Sequence, residues 1–253
     1  MRALVSFLYG LVAYLACMAT LLYLVGFGGN LLVPHSVDAG GAPAAGLGEA
    51  VLADILLLAL FGVQHSVMAR RSFKTAWTRL VPAVLERSTF VLATCVVLAL
   101  LFWFWTPITV PVVWRVEGRT AAGLLWCVYA VGWLVALVST FLLDHFELFG
   151  LRQALGARLP RAASGGGFKT PLFYRHVRHP LYLGLLLTFW SVPVMTFGHL
   201  LFSAGLSAYV LMGIAFEERD LVVQFGERYL AYRREVGMLL PRARLSRPGP
   251  EGR

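Results

Sequence analysis

Charge is the scarcest thing in this sequence. Of its 253 residues only 14% are Asp, Glu, Lys or Arg, well below the ~25% usual in soluble domains. That excludes an ordinary water-soluble globule. Cysteine is almost as rare, and Cys17, Cys95 and Cys127 each lie inside a hydrophobic run. Without a Cys-x-x-Cys pair, neither a zinc knuckle nor a disulfide framework is expected, and the three thiols read as small core residues. There are six histidines. His176-x-x-His179 has a ligand-like spacing, but membrane di-iron oxygenases cluster far more histidines than this chain can gather. His35 and His199 are expected on the opposite side of the membrane, and Pro180 disfavours helix at His179, so no metal site is expected. No Gly-x-Gly-x-x-Gly occurs, and "ASGGGF" at 163–168 follows no strand, which makes it a flexible loop rather than a phosphate cradle. The net charge of +9 sits in particular loops and does not indicate a nucleic-acid partner.

What the chain has in abundance is apolar sequence, 58% of it. Runs of the ~20 residues that cross a bilayer recur, at about 4–27, 50–69, 89–105 and 120–143. The first is too long for a signal-peptide core and lacks a small-residue cleavage site, so it is expected to stay as a membrane helix. A further stretch, 181–216, would reach ~54 Å as one helix, against a hydrocarbon core of ~30 Å. Pro193 and Gly198-His199 near its middle predict a hairpin of two rather short helices turning near 195–199. The fold class expected is an all-α integral membrane protein with about six transmembrane helices, the last two a hairpin. It forms one membrane domain: residues 1–49 carry a peripheral first span and outer loop, 50–143 carry spans two to four, and 242–253 are a disordered tail.

Placing every Lys and Arg orients the bundle. With both termini on one side, twenty of the twenty-two basic residues fall on that side, in 70–87, in 152–178 and in the two terminal segments, and only Arg115 and Arg119 fall on the other. The positive-inside rule makes the rich side cytoplasmic. The tail "FEERDLVVQFGERYLAYRREVGMLLPR" carries an apolar stripe, Leu221, Phe225, Tyr229, Tyr232 and Val236, at helical spacing. It predicts a C-terminal amphipathic helix lying on the inner face or folded onto the bundle, ended by Pro241.

Ionisable groups at membrane level are costly and mark candidate sites. Four segments bring such groups to the same cytoplasmic level: Gln64, His65 and Ser66; Asp144, His145 and Glu147; the cluster "YRHVRHPLYLG" at 174–184; and Glu217 with Glu218. Together they suit a cytosol-facing pocket at the inner helix ends. Each also has a plainer reading, as an interfacial histidine, a counter-charge to a basic loop or a helix-end carboxylate. Asp54, at the outer end of its span, reads as a packing residue, and Tyr229 and Tyr232 read first as packing residues too.

The order Arg178-His179-Pro180-x-Tyr182-x-Gly184, a two-helix hairpin, Glu217-Glu218, then Leu221, Phe225-Gly226, Tyr229, Tyr232, Val236 and Pro241 resembles the isoprenylcysteine carboxyl methyltransferase superfamily over about 168–241. The stretches "GVQHSVMARRSFKTAWTRLVPAVLERSTF", "DHFELFGLRQ" and "TPLFYRHVRHPLYLG" look like its bacterial methanethiol S-methyltransferase branch, which extends the resemblance to about 50–241. The resemblance implies an inner-membrane enzyme, active site facing the cytoplasm, that uses S-adenosylmethionine to convert methanethiol to dimethyl sulfide. It implies that Arg178, His179, Tyr182 and Gly184 border the cofactor and that Glu217 or Glu218 closes it from the other side. Chemistry agrees: arginine pairs with a carboxylate, glutamate accepts from an amine or ribose hydroxyls, and aromatic faces tolerate a sulfonium.

For a thiol to attack in line it must lose its proton, and the enzyme must orient the pair. His65 and His145 are the candidate bases because imidazole titrates near neutrality. Asp144 is a candidate to orient either one, and Tyr174 to bond the sulfur. Three alternatives stay open. One is methylation of a prenylcysteine carboxylate or a lipid. Another is an NADPH-dependent membrane reductase, since sterol reductases share a related carboxy-terminal arrangement. The third is a non-enzymatic membrane partner of nitrogen-oxide respiration, where a related "QHS…AR" pattern occurs. Oligomeric state is open.

Overall fold

A computed structural model describes residues 2–41, 46–155 and 170–242; the "ASGGGF" segment and the tail after 242 lie outside the described residues. In chain order come α1 (Arg2–Gly29), α2 (Leu47–Ala69), the short α3 (Arg71–Trp77), α4 (Glu86–Phe104), β1 (Val112–Arg115), α5 (Arg119–Leu143) and two short helices, α6 (His145–Leu148) and α7 (Leu151–Leu155). After the break come α8 (Pro180–Trp190), β2 (Val194–Thr196), α9 (Phe197–Phe225) and α10 (Glu227–Glu235). Among the described residues, five helices are long and apolar enough to cross a membrane: α1, α2, α4 with its short lead-in, α5 and α9. The first four expected spans are there to within a few residues, because the thickness to be crossed fixes the length of the apolar run.

The bundle is apolar inside and out, as a chain solvated by lipid must be. Leu22 on α1 is 73% exposed and Leu134 on α5 58% exposed, while Phe27, Leu101, Phe102, Trp105, Phe189, Phe202 and Leu206 form a buried core joining α1, α4, α8 and α9. The crossing of α5 and α8 is closer still. A Cβ at Gly184 would lie 2.5 Å from the Gly132 carbonyl, and one at Gly132 would lie 2.7 Å from the Gly184 carbonyl. Small residues let the two backbones touch.

Three expectations need correcting. The hairpin is asymmetric: α8 has 11 residues, a rise of only ~16 Å, whereas α9 has 29 residues and rises ~44 Å. The charges after Phe216 do not stop α9, since Glu, Arg, Leu and Gln all sustain a helix; it stops at Gly226, whose φ of 55° lies in the left-handed region glycine tolerates. The amphipathic tail is therefore split. Its first half is the end of α9, and its second half is α10, which ends at Glu235, six positions before Pro241. Finally, the chain is not purely helical. The turns after α4 and α8 pair as antiparallel strands, Val112 with Thr196 and Arg115 with Val194, because backbone groups at membrane depth need partners.

The two ends of the bundle differ. At one, Asp54 is fully buried and accepts a hydrogen bond from the Thr106 amide at 2.8 Å, a packing role as expected. Asp38 accepts from Asn30 at 2.6 Å and from the Thr196 hydroxyl at 2.5 Å, tying the loop after α1 to the start of α9. The other end gathers the arginines and the candidate site residues.

Candidate functional site

Pro180 occupies the first position of α8, where its fixed φ and missing N–H cost nothing. His179 thus stands just outside the helix, 4% exposed, and its imidazole faces two carboxylates: Nε2 lies 3.2 Å from Glu218 and Nδ1 lies 3.8 Å from Glu217. Arg178 is equally buried. Its Nε donates to Glu218 at 2.7 Å, and its Nη1 donates to the carbonyls of Val236 at 2.5 Å and Arg233 at 3.3 Å. Two of its three guanidinium nitrogens are thereby committed to the protein, so Arg178 acts here as a clamp on the segment after α10. That segment comes back alongside the motif: the Arg178 amide donates to Gly237 at 2.9 Å and the His179 amide to Met238 at 3.2 Å.

Aromatic residues complete this cluster. Tyr182, one turn into α8, faces the Glu217 carboxylate, and Tyr232 donates to the backbone carbonyl of Tyr174 at 2.5 Å. Burial first, and then the Glu217 carboxylate, push the Tyr174 hydroxyl upward, and burial pushes Tyr232 up to about 12. Both phenols stay neutral donors at physiological pH. Arg233 adds a second, looser contact to Glu218 at 3.6 Å. Glu218 is thus surrounded by cations, whereas the Glu217 side chain is 44% exposed and faces the tyrosines.

The expected site residues divide into groups. Tyr174, Arg178, His179, Tyr182, Glu217 and Glu218 come together as described. Gly184 lies on the face of α8 opposite Tyr182, at the crossing with Gly132, where it serves helix packing. His65 stands on α2 beside this cluster, with Nδ1 3.4 Å from the Thr94 hydroxyl, and its ring lies 4.9 Å from Phe90 and 6.1 Å from Tyr209. Asp144 and His145 belong to a separate network. Asp144 caps α6 by accepting from the Glu147 amide and pairs with Arg152 at 3.0 Å. His145 meets Tyr14 through Nε2 at 3.0 Å and Thr140 through Nδ1 at 2.7 Å, stacked 4.1 Å over Phe141. Both its nitrogens are engaged, and burial lowers its pKa despite the Asp144 carboxylate.

Sequence reasoning overlooked Tyr209, Gly213, Tyr14 and Arg233. Tyr209 and Gly213 carried a signal, because with Glu217 they repeat every four residues on one face of α9. Tyr14 meets His145 across 131 positions, a distance that no local pattern spans.

The acceptor and donor set fits a cationic, carboxylate-bearing methyl donor. Glu217 is open to an amine or hydroxyls, neutral phenols can donate, and tyrosine rings offer faces to a sulfonium. Among the described residues, no three His, Cys, Asp or Glu side chains group as a metal site would require. Fold and site together define a polytopic, mainly helical integral membrane protein with a cluster of polar side chains at one end of its bundle.

Comparison with known proteins narrows that class. The chain is 52% identical over 235 residues to Methanethiol S-methyltransferase 2 of Bradyrhizobium diazoefficiens, covering 93% of this chain and 89% of that protein. It is 50% identical over 223 residues to Methanethiol S-methyltransferase of Pseudomonas deceptionensis, covering 88% and 84%, and 47% identical over 242 residues to its namesake in Mycobacterium tuberculosis, covering 95% and 98%. No protein-family model and no solved structure matches. The chain belongs to the methanethiol S-methyltransferase family.

Proposed function

We propose that this protein transfers the methyl group of S-adenosylmethionine to the sulfur of methanethiol, releasing dimethyl sulfide. The observation that carries the reading is the meeting of His179, Tyr182 and Glu217 at one end of the bundle, in a chain about half identical to proteins named for this activity over nine-tenths of its length. When bound, the cofactor supplies an electrophilic methyl on a sulfonium. Held by Glu217 and Tyr182, it would give that methyl to the thiol sulfur and keep the bonding pair on its own sulfur, and the thiol proton would pass to a protein base.

Within that reaction the chain's own groups have distinct tasks. Glu217, with Tyr182 beside it, accepts from the cofactor's amine or ribose hydroxyls. Arg178 and Glu218 hold the end of α8, α9 and the returning C-terminal segment in one frame. Tyr174 donates toward the sulfur. His65 is the base we favour, since its contact with the Thr94 hydroxyl is loose whereas both nitrogens of His145 are engaged. Orientation and exclusion of water supply the remaining rate, because the reaction neutralises opposite charges.

The same proposal covers topology. If α8 counts as a short sixth span, both termini lie on the side rich in arginine, which the positive-inside rule makes cytoplasmic. The cofactor is made there. The test uses membranes bearing the chain, supplied with S-adenosylmethionine and methanethiol, with headspace dimethyl sulfide measured by gas chromatography. Product from the wild type and a loss of at least tenfold in His179→Ala is expected. No product from membranes that still bind S-adenosylmethionine would move the substrate to lipids or prenylcysteines, and copurified NADPH would move the class to a reductase.

A further inference from the structure

Gly213 lies in the middle of α9, where glycine is disfavoured against alanine because it gives up more backbone freedom. Other glycines in these helices answer a close neighbour. A Cβ at Gly62 would meet the Tyr209 ring at 3.3 Å, one at Gly205 would meet Leu58 at 2.7 Å, and Gly132 and Gly184 touch backbone to backbone. At Gly213 nothing crowds: the nearest atom to an added Cβ is the Tyr182 hydroxyl at 4.0 Å. Gly48 of α2 and Gly123 of α5 are uncrowded too but exposed, whereas Gly213 is half-buried. Packing therefore does not account for Gly213.

Its surroundings do. Tyr209 and Glu217 stand one turn above and one turn below on the same face of α9. Tyr182 reaches across from α8 toward Gly213 and Glu217. Tyr209 is held against α2 by the bare Gly62 backbone and by Phe61 at 5.2 Å between rings, with Ser66 close to its hydroxyl. Through Tyr209 the recess adjoins His65, 6.1 Å away ring to ring. The result is a notch floored by bare helix backbone and walled by two tyrosines and a carboxylate, directly against the groups proposed to hold the methyl donor.

We propose that the missing side chain at Gly213 is the seat of the methyl-accepting thiol and sets the largest thiol the enzyme takes. This rests on the reading of thiol methylation above. The hydroxyls of Tyr182 and Tyr209 face Glu217 and Ser66, and their ring faces and edges are favourable partners for a polarizable sulfur. A side chain added at 213 takes the space of the substrate's own carbon, and one methylene in such a pocket is discriminated by roughly 10- to 200-fold.

The test compares wild type, Gly213→Ala and Gly213→Val with methanethiol, ethanethiol and 1-propanethiol, alongside binding of radiolabelled S-adenosylmethionine and thermal unfolding in detergent. Alanine is expected to melt no lower than wild type and to bind the cofactor within twofold. It should raise the KM for ethanethiol and 1-propanethiol at least tenfold more than that for methanethiol. Valine is expected to raise the methanethiol KM at least tenfold as well; if valine unfolds, the alanine series decides alone. Two results would overturn the proposal: unchanged KM values for every thiol in the variants, or cofactor binding lost together with turnover, which would make the notch part of the cofactor's seat. A wild type that binds the cofactor yet methylates no thiol would instead remove the functional reading, and the seat with it.

Discussion

Two histidines that look alike in sequence are separated by their partners. His145 has a hydrogen-bonding neighbour on each ring nitrogen and a stacked Phe141. Replacing it by Phe keeps the stack but takes the Tyr14 hydroxyl's partner away and leaves Thr140 only its bond to the Leu137 carbonyl, at a cost of about 1–3 kcal/mol. The expected outcome is a lower melting temperature with kcat changed less than twofold. His65→Ala should do the reverse, lowering kcat at least ~100-fold while cofactor binding persists. The pH dependence separates them further. Burial lowers the His145 pKa below 6.5, so as pH falls through 6.5 the unfolded chain takes up the proton first. The stability associated with the neutral ring is complete above 6.5 and declines below it, toward the lowered folded value. Melting temperature recorded from pH 8 to pH 5 should therefore fall less steeply for His145→Phe than for wild type.

Elements meet here through backbone contact and carbonyl clamps more than through ion pairs. Gly184→Ala forces a methyl group against the Gly132 carbonyl, and the crossing must open, at ~1–3 kcal/mol, visible as a lower unfolding temperature in detergent. Arg178 joins three elements, so lysine is no substitute: a single ammonium cannot reproduce a fork bonded at once to Glu218, Arg233 and Val236. Arg178→Lys should free the segment after α10, and trypsin should cut after Arg233 or Arg234 at least tenfold faster than in wild type. These contacts also explain where the sequence was opaque. Hydropathy marks where a helix enters lipid, so α5 is found at Arg119–Leu143 almost as expected. It does not mark where a helix ends in water, so the charged end of α9 was misread until Gly226 supplied the stop. The pairing of Val112 with Thr196 and of Arg178 with Gly237 joins turns far apart in the chain, and no local period encodes it.

At the scale of the molecule, what was legible is the asymmetry of its ends. The cluster at 174–184 and the pair Glu217-Glu218 stood out because charges are so few, and they do meet. Asp144 and His145 stood out for the same reason and lie in a separate network, since scarcity marks a residue as costly without saying whether folding or chemistry bears the cost. The charge asymmetry itself makes the last prediction. Glu117, beside β1, and Arg242, beyond α10, are both exposed and lie at opposite ends of the bundle. In a background with Cys17, Cys95 and Cys127 replaced by alanine, Glu117→Cys should react with a membrane-impermeant maleimide in intact spheroplasts, and Arg242→Cys only after lysis. The converse labelling would put His179 and Glu217 on the side where no S-adenosylmethionine is made, and the proposed reaction would lose its methyl donor.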